Sequence, residues 1–288
     1  MTVLYYRIAD ITFKIVGDDE IMNAESALLN EYAVPPSDPD YTVIFEEADE
    51  LSEPVGECVF TSSDRMVYSV PDGEIRYSGD LSDEYRSADM RMYRRGRELC
   101  VQTVFKGNFK RIGARAILNC LGIEHIMAEN ESFILHASYI RYGDEAVLFT
   151  APSGVGKSTQ ARLWCENRGA ELINGDRAAI VNKNGVFWAY GVPFAGSSGV
   201  CKNESYPIKA IVCLAQAKEN TAVRLKGITA FRKLWEGCTA DVWNKTDMES
   251  CIKTVSSVSA QVPVFHLGCL PDETAVETLE NEFNKLKI

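Results

Sequence analysis

Hydrophobic positions change their spacing along the chain near residue 107. Before that point apolar and polar residues alternate in short runs, as at Ile11, Phe13 and Ile15, and acidic turns separate the runs. Alternation with a period of two is typical of half-buried β-strands. The pattern therefore predicts a β-rich N-terminal domain over residues 1–107, for which the sequence suggests no chemistry.

Within this domain Tyr41 to Phe45 predicts a strand, and two pairs of apolar runs predict hairpins. Residues 66–70 and 74–77 flank Pro71-Asp72-Gly73, which is a turn signal. Residues 90–93 and 99–105 flank Arg94-Arg95-Gly96-Arg97. This basic tip is either a contact for an acidic partner or a solvated hairpin end.

After residue 107 the pattern becomes helical and then alternates between strands and helices. Residues 112, 116, 117, 120 and 121 form one apolar stripe, which predicts a helix between Asn108 and Asn130. Further strands are expected at 133–140, 146–150, 172–173, 179–181, 186–190, 208–214 and 264–267, and helices at 158–168, 229–237, 247–259 and after Pro271. Gly169 is expected to stop the first of these helices, and the last has one apolar face made of residues 276, 279, 283 and 286. This order predicts an α/β domain over residues 108–288, built on a mixed sheet with inserted hairpins rather than on a doubly wound one.

A glycine loop follows the apolar run Ala146 to Phe149. Residues 151–159 are Ala-Pro-Ser-Gly-Val-Gly-Lys-Ser-Thr, and a helical pattern follows them. Glycines in such a loop let backbone N–H groups point inward, and the positive end of the next helix adds to them, which suits a polyphosphate. An ordinary strand-to-helix turn is the alternative. The expected nucleotide-binding residues are Ser153, Gly154, Val155, Gly156, Lys157, Ser158 and Thr159.

The loop chemistry predicts ATP and Mg²⁺ as its ligands. Lys157 would reach the β- and γ-phosphates, and the Ser158 hydroxyl would hold Mg²⁺. Ala151 stands where a glycine is usual, and alanine is the smallest replacement. Dinucleotide binding fits poorly because Gly154-Val155-Gly156 lacks the third glycine of G-x-G-x-x-G.

Composition limits the class of partner. The 288 residues include 41 acidic and 30 basic side chains, and the net charge of −11 argues against nucleic acid and anionic membranes as partners. No apolar run approaches 18 residues and no signal segment is evident, so a soluble cytoplasmic protein is expected. Nine cysteines without a C-x-x-C pair predict reduced, mostly buried thiols.

Two further residues are candidates for catalysis. Asp176 follows the first strand after the loop helix, where a carboxylate can bind Mg²⁺ together with Ser158 or accept the proton of an attacking hydroxyl; a turn cap is the alternative. His136 precedes the loop and is either a site residue or a satisfied core histidine. Residues 191–199 form a second glycine-dense segment, either a substrate contact or a connector. Further anion contacts to consider are Lys202, Asn203 and Arg224.

Several of these motifs together resemble a known family. Leu135-His136-Ala137, followed 21 positions after His136 by Lys157 in the glycine loop, resembles the C-terminal catalytic domain of HPr kinase/phosphorylase, of the phosphoenolpyruvate carboxykinase-type P-loop fold. Leu172-Ile173-Asn174-Gly175-Asp176 is similar to that family's Leu-Ile-x-Asp-Asp. The resemblance is closer to HPr-kinase-like relatives, and it covers residues 130–215 well and residues 1–107 hardly at all.

The resemblance implies catalytic roles for Asp176, His136 and Lys157. Two departures bear on the activity: Gly175 replaces one carboxylate of the acidic pair, and the glycine- and arginine-rich docking segment of bacterial HPr kinases has no counterpart. Both HPr as the substrate and the reverse phosphorolysis are therefore in doubt.

The leading hypothesis is an ATP-dependent kinase for a serine-type hydroxyl on a peptide, protein or small molecule, with homo-oligomerisation left open. The second is an ATP-binding regulatory or scaffold module without phosphate transfer. The third is a carboxykinase, which would need a second metal site in a chain with only three histidines.

Overall fold

The computed structural model describes residues 1–18, 27–62, 65–71, 73–78, 88–105 and 114–286. The chain divides into two compact units, Met1–Ile123 and Glu124–Ile288. The boundary expected from the sequence lies beside residues 106–113, which are outside the described ranges. Each unit contains one mixed sheet with helices, so the mixed α/β class is confirmed.

The first unit contains an eight-stranded sheet in the order β1-β2-β3-β8-β7-β6-β5-β4. Pairs β2–β3 and β3–β8 are parallel and the other pairs are antiparallel. The elements are β1 Thr2–Ile8, β2 Ile11–Gly17, α1 Ala27–Asn30, β3 Tyr41–Glu47, β4 Glu57–Thr61, β5 Arg65–Val70, β6 Gly73–Ser78, β7 Ala88–Arg95, β8 Glu98–Phe105 and α2 Ala114–Leu121.

The period-two pattern and both hairpins are confirmed in this unit. Strands β5 and β6 pair up to their ends, and so do β7 and β8; Asp72, in the first turn, lies outside the described residues. The second hairpin is less basic at its tip than the sequence suggested. Arg94 belongs to strand β7 and is buried, with its guanidinium carbon 5.6 Å from the centre of the Tyr41 ring.

The single helix expected between residues 108 and 130 is instead two helices, α2 and α3 (Ile123–Glu129), separated by Gly122; residues 108–113 lie outside the described ranges. Gly122 has φ 66°, a value that favours glycine. A Cβ there would also lie 2.5 Å from the guanidinium carbon of Arg76. That arginine is buried and its Nε lies 2.6 Å from Glu74 Oε1, so it has little room to move.

The second unit contains a nine-stranded mixed sheet. Its elements follow α3 as β9 Phe133–Tyr142, β10 Glu145–Thr150, α4 Lys157–Arg168, β11 Glu171–Asn174, β12 Arg177–Lys183, β13 Val186–Gly191, a 3₁₀ turn Gly196–Ser198, β14 Ser205–Gln216, β15 Thr221–Leu225, α5 Gly227–Trp235, β16 Cys238–Thr239, α6 Lys245–Gln261, β17 Val264–Cys269 and α7 Glu273–Lys285. The predicted strands and helices of this unit are confirmed, with longer strands than expected; β15 and β16 were not predicted.

Two long strands hold this sheet together. The first residues of β9 pair with β12 and its later residues pair with β10 and β11. Similarly, β14 begins antiparallel to β13 and continues parallel to β10 and β17. The carboxyl ends of β10, β14 and β17 therefore lie at one edge, where ligands bind in open α/β sheets.

Helix α4 is anchored by Trp164, which is fully buried. The Trp164 ring centre lies 5.0 Å from that of Tyr142 and 5.5 Å from that of Phe283 in α7. Gly169 ends the helix in the left-handed conformation, as predicted, with φ 63°. Since α4 begins directly at Lys157, this packing also fixes the end of the glycine loop.

Replacing Trp164 by alanine removes the largest side chain that joins α4 to the sheet. We expect Trp164→Ala to lower the free energy of unfolding by about 3–5 kcal/mol, the usual cost of deleting a buried aromatic side chain. Urea unfolding followed by far-UV circular dichroism measures this. Val186→Ala, at an exposed strand position, should change it by no more than about 0.5 kcal/mol. Equal losses in the two variants would contradict the anchoring role.

Candidate functional site

The glycine loop joins the end of β10 to the start of α4. Gly154 has φ 79° and Gly156 has φ 127°, and no atom lies within 4 Å of a Cβ built at either position. Backbone conformation, rather than lack of space, therefore explains both glycines. The loop is bracketed by the hydrogen bonds Val155 N to Pro152 O, 3.4 Å, and Gln160 N to Gly156 O, 2.9 Å.

Lys157 is buried although it is a lysine. Its Nζ donates to the carbonyl oxygen of Ala151 at 2.9 Å, so the side chain folds back along the loop. Burial lowers the Lys157 pKa, and the negative charge of Asp176 opposes that effect. Ser158 and Thr159 occupy the first turn of α4, and Ser158 is exposed.

Asp176 lies in the bend between β11 and β12, and buried Asn174 determines the shape of that bend. Asn174 Oδ1 accepts from the backbone N–H groups of Asp176 at 2.9 Å and Arg177 at 3.0 Å. Its Nδ2 donates to Val192 O at 2.6 Å. Ala137 N of β9 donates to Asp176 O at 3.0 Å. The backbone of Asp176 is therefore held from two sides.

Two side chains, those of His136 and Arg177, lie beside the Asp176 carboxylate, and the charge of Lys157 acts on it from beyond ion-pair distance. His136 Nε2 lies 3.5 Å from Oδ1, and Arg177 Nε lies 3.5 Å from Oδ2. The contact with His136, followed by the charges of Arg177 and Lys157, holds the pKa of Asp176 below its ordinary value despite burial. His136, Lys157 and Asp176, the three predicted catalytic residues, are thus close enough to interact.

Arg177 is held in place from two further directions. Its guanidinium carbon lies 4.5 Å from the centre of the Phe194 ring, and its Nη1 lies 3.4 Å from Oε1 of the buried Glu124. Stacking on an aromatic face and an ion pair both favour a fixed guanidinium. The charge that stabilises the ionised form of Asp176 is therefore positioned by the fold.

Gly175 explains why the second carboxylate expected from the resemblance is missing. A Cβ at this position would lie 1.9 Å from Ser198 Oγ and 2.6 Å from Ser198 Cβ. Ser198 itself is fixed, since its Oγ donates to Ala195 O at 2.8 Å and accepts from Val200 N at 3.1 Å. The Gly191–Gly199 segment therefore occupies the space that an aspartate side chain would need at position 175.

The Gly191–Gly199 segment packs against the bend of Asp176. A Cβ at Gly196 would lie 2.8 Å from Asp176 Cβ, and Gly196 has φ 55°. The other suggested anion contacts lie elsewhere: Lys202 pairs with Glu171, Arg224 lies in β15, and Asn203 is exposed.

A cavity of about 560 Å³ opens beside the glycine loop. We call it the loop cavity. Its walls are residues 150–155 of the loop, Cys213 and His266 of the neighbouring parallel strands, and Lys233, Glu236 and Gly237 at the end of α5. Gly237 O accepts from His136 N at 2.8 Å. The loop cavity therefore borders the strand segment that carries His136.

Among the described residues no group of three or more His, Cys, Asp or Glu side chains could hold a metal ion. All nine cysteines are free, and five of them are buried. No helix in the described ranges is long and apolar enough to cross a membrane.

The chain is similar to a known protein family and to solved structures that include a kinase. The family model described as SynChlorMet cassette protein ScmC matches residues 113–270. The HPr(Ser) kinase/phosphatase structure from Coxiella burnetii is 12% identical, with 54% of this chain and 99% of that chain covered and a TM-score of 0.34. No curated protein matches. A TM-score of 0.34 is too low for this likeness to indicate a function.

Removing His136 should raise the pKa of Asp176. We expect His136→Ala to move it upward toward the ordinary aspartate value, as seen in the ¹³C carboxyl chemical shift during a pH titration. Because the pKa of Asp176 is depressed in the folded state, ionised Asp176 stabilises the fold above the ordinary aspartate pKa. This stability is lost as pH falls through the depressed value. His266→Ala, which changes a histidine of β17, is the matched control and should leave the titration unchanged. An unshifted pKa in His136→Ala would contradict the electrostatic assignment.

Adding a side chain at position 175 should destabilise the protein through Ser198. We expect Gly175→Ala to cost about 1–3 kcal/mol of unfolding free energy, the usual penalty of overpacking. The same change made in a Ser198→Gly background should cost much less, because the clashing atoms are absent. A double-mutant cycle measured by urea unfolding gives the coupling. Additive changes in the unfolding free energy would show that the contact between position 175 and Ser198 does not affect stability.

Proposed function

The chain belongs to the family of SynChlorMet cassette protein ScmC, whose name states no reaction, and from its site we propose an ATP-dependent kinase that phosphorylates a serine-type hydroxyl. The observation that carries the proposal is the buried Lys157 at the end of a glycine loop, within electrostatic reach of Asp176. Phosphoryl transfer depends mainly on positioning and charge neutralisation, and these residues suit both tasks.

The loop provides the phosphate contacts in this proposal. Backbone N–H groups of the loop and the N-terminal end of α4 would donate to the β- and γ-phosphates. Lys157 exchanges its contact with Ala151 O for a phosphate oxygen, which offers the ammonium a full negative charge instead of a carbonyl dipole. The anchored α4 keeps these donors in place.

Asp176 receives the proton of the acceptor hydroxyl. The hydroxyl oxygen forms a bond to the γ-phosphorus, the bond from that phosphorus to the β,γ-bridging oxygen breaks, and ADP leaves with that oxygen. The depressed pKa keeps Asp176 ionised at neutral pH, so it can accept a hydrogen bond from the hydroxyl and orient it. His136 and Arg177 hold the carboxylate in the orientation that this requires.

Mg²⁺ fits this residue set as a partner of the nucleotide rather than as a caged ion. Magnesium is commonly bound by one or two carboxylates together with substrate phosphates and water, and the exposed Ser158 hydroxyl and the Asp176 carboxylate supply oxygen ligands of that kind. When bound, the ion would neutralise phosphate charge. Because position 175 is a glycine, Asp176 alone would supply the carboxylate both for Mg²⁺ and for the proton of the hydroxyl.

A second candidate function is nucleotide binding without transfer. The observation that favours it is the filled space at Gly175, which leaves one carboxylate where the resembling kinases have two. A regulatory or scaffold module would need the loop but not a complete set of acid–base groups. A carboxykinase has less support, because the described residues hold no cluster suited to a second metal.

Lys157 and Asp176 should fail in different ways. We expect Lys157→Ala to weaken Mg·ATP binding at least tenfold in calorimetry, because the loop loses its only lysine. Asp176→Asn keeps an oxygen ligand, so it should weaken Mg·ATP binding less than Lys157→Ala does. It should reduce transfer of labelled phosphate to a degenerate serine-peptide library by about 10²–10⁴-fold, the usual range for a general base. Lys285→Ala, at the exposed end of α7, is the control and should change neither.

The outcomes separate the proposals. ATP binding that survives Lys157→Ala would refute the loop assignment, and transfer that survives Asp176→Asn would refute the role of Asp176. Tight binding without transfer to any serine peptide or small hydroxyl compound would favour the regulatory module.

A further inference from the structure

A second cavity, of about 590 Å³, lies at the opposite end of α5 from the loop cavity. We call it the α5–α6 groove; its lining includes Arg224, Lys226, Ile228, Phe231, Ile252 and Ser256. It is formed where the end of β15 meets the start of α5 and the outer side of α6. All of these elements belong to the second unit.

The groove combines exposed apolar side chains with positive charge. Ile228 is 70% exposed and Ile252 is 43% exposed, although both are large hydrophobic residues. Arg224 and Lys226 contribute two positive charges, and no carboxylate is among the lining residues. Neither cation has an ion pair within the described part of the chain. On a protein of net charge −11 this is a local reversal of sign.

Strand β15 adds a hydrogen-bonding edge beside the groove. It ends the sheet order, paired with β17 on one side, and within the described residues no strand pairs with its other side. Val223 on this strand is 57% exposed. An edge of this kind can accept an extended peptide as an additional strand, with adjacent pockets taking alternate side chains.

We propose that the α5–α6 groove binds an acidic, extended segment of the substrate, a separate polypeptide whose serine hydroxyl is then phosphorylated. Carboxylates of the segment would pair with Arg224 and Lys226, and an apolar side chain would lie between Ile228 and Ile252. Phosphorylation of the bound segment rests on the proposed kinase function, whereas binding of the segment to the groove does not.

The length of α5 sets the distance between anchor and hydroxyl. The helix has nine residues, or about 13 Å at 1.5 Å per residue. Its first turn lines the groove, and Lys233 near its end lines the loop cavity. An extended chain covers that distance in about four residues. The phosphorylated serine should therefore lie about four to six residues from the anchoring apolar residue.

The test uses two fluorescein-labelled dodecapeptides and the full chain. One peptide alternates glutamate and leucine around a single serine, and the other has lysine in place of each glutamate. We expect fluorescence anisotropy to show saturable binding of the acidic peptide, at least tenfold weaker binding of the basic one, and weakening with added salt. The double variant R224E/K226E should bind the acidic peptide at least tenfold more weakly.

Matched variants separate this inference from the nucleotide site. K245E/K285E changes the net charge equally at exposed positions outside the groove and should bind the acidic peptide as the original chain does. Lys157→Ala should also leave peptide binding unchanged, whereas R224E/K226E should leave Mg·ATP binding unchanged. If Lys157→Ala loses ATP binding but the original chain binds no peptide, the docking proposal is refuted and the nucleotide site is not.

Three results would overturn the proposal. They are equal binding of the acidic and basic peptides, undiminished binding by R224E/K226E, and absence of saturable binding. Sedimentation of the original chain and R224E/K226E identifies the rival occupant: a dimer that the double variant dissociates would assign the groove to a second copy of this chain.

Discussion

The placement of Asp176 depends on the buried carboxamide of Asn174. Its oxygen accepts two backbone N–H groups of the bend that follows β11, and its nitrogen donates to a carbonyl beyond β13. A buried amide with both ends satisfied resists rotation, because any other orientation would leave polar groups unpaired at about 1–3 kcal/mol each. One side chain thus ties the bend of Asp176 to the segment that follows β13.

The glycine at 175 follows from the same constraint. Once the bend is drawn against the Gly191–Gly199 segment, Ser198 occupies the space beside it and only a residue without a Cβ fits. Because position 175 has no side chain, Asp176 is the carboxylate that this bend carries. The Asp176 carboxylate lies beside His136 and Arg177, and position 175 adds no second carboxylate. Two adjacent carboxylates would share a proton, whereas Asp176 beside these two side chains favours its ionised form.

Local patterns predicted most of the elements and part of the site. Period-two runs, the Gly169 stop and the apolar stripe of α7 each depend on near neighbours, so the sequence reveals them. The break at Gly122 and the roles of Asn174, Ser198 and Glu124 depend on residues distant in the chain. An Asn two positions before Asp176 is a turn signal that could have been recognised. Nothing local indicates that Ser198 closes the space at Gly175, since tertiary packing alone brings them together.

Charge on this protein acts over short distances. At physiological ionic strength the screening length is about 8 Å. Repulsion between most of the net charge of −11 and an anion at the glycine loop would therefore be screened. An anion bound as proposed would lie beside the loop backbone, the start of α4 and Lys157, with ionised Asp176 held near His136 and Arg177. At the other end of α5, Arg224 and Lys226 determine the local field, because no carboxylate lines the α5–α6 groove. The two surfaces proposed for negative charge would each be defined by their nearest residues, and α5 keeps them about one helix length apart.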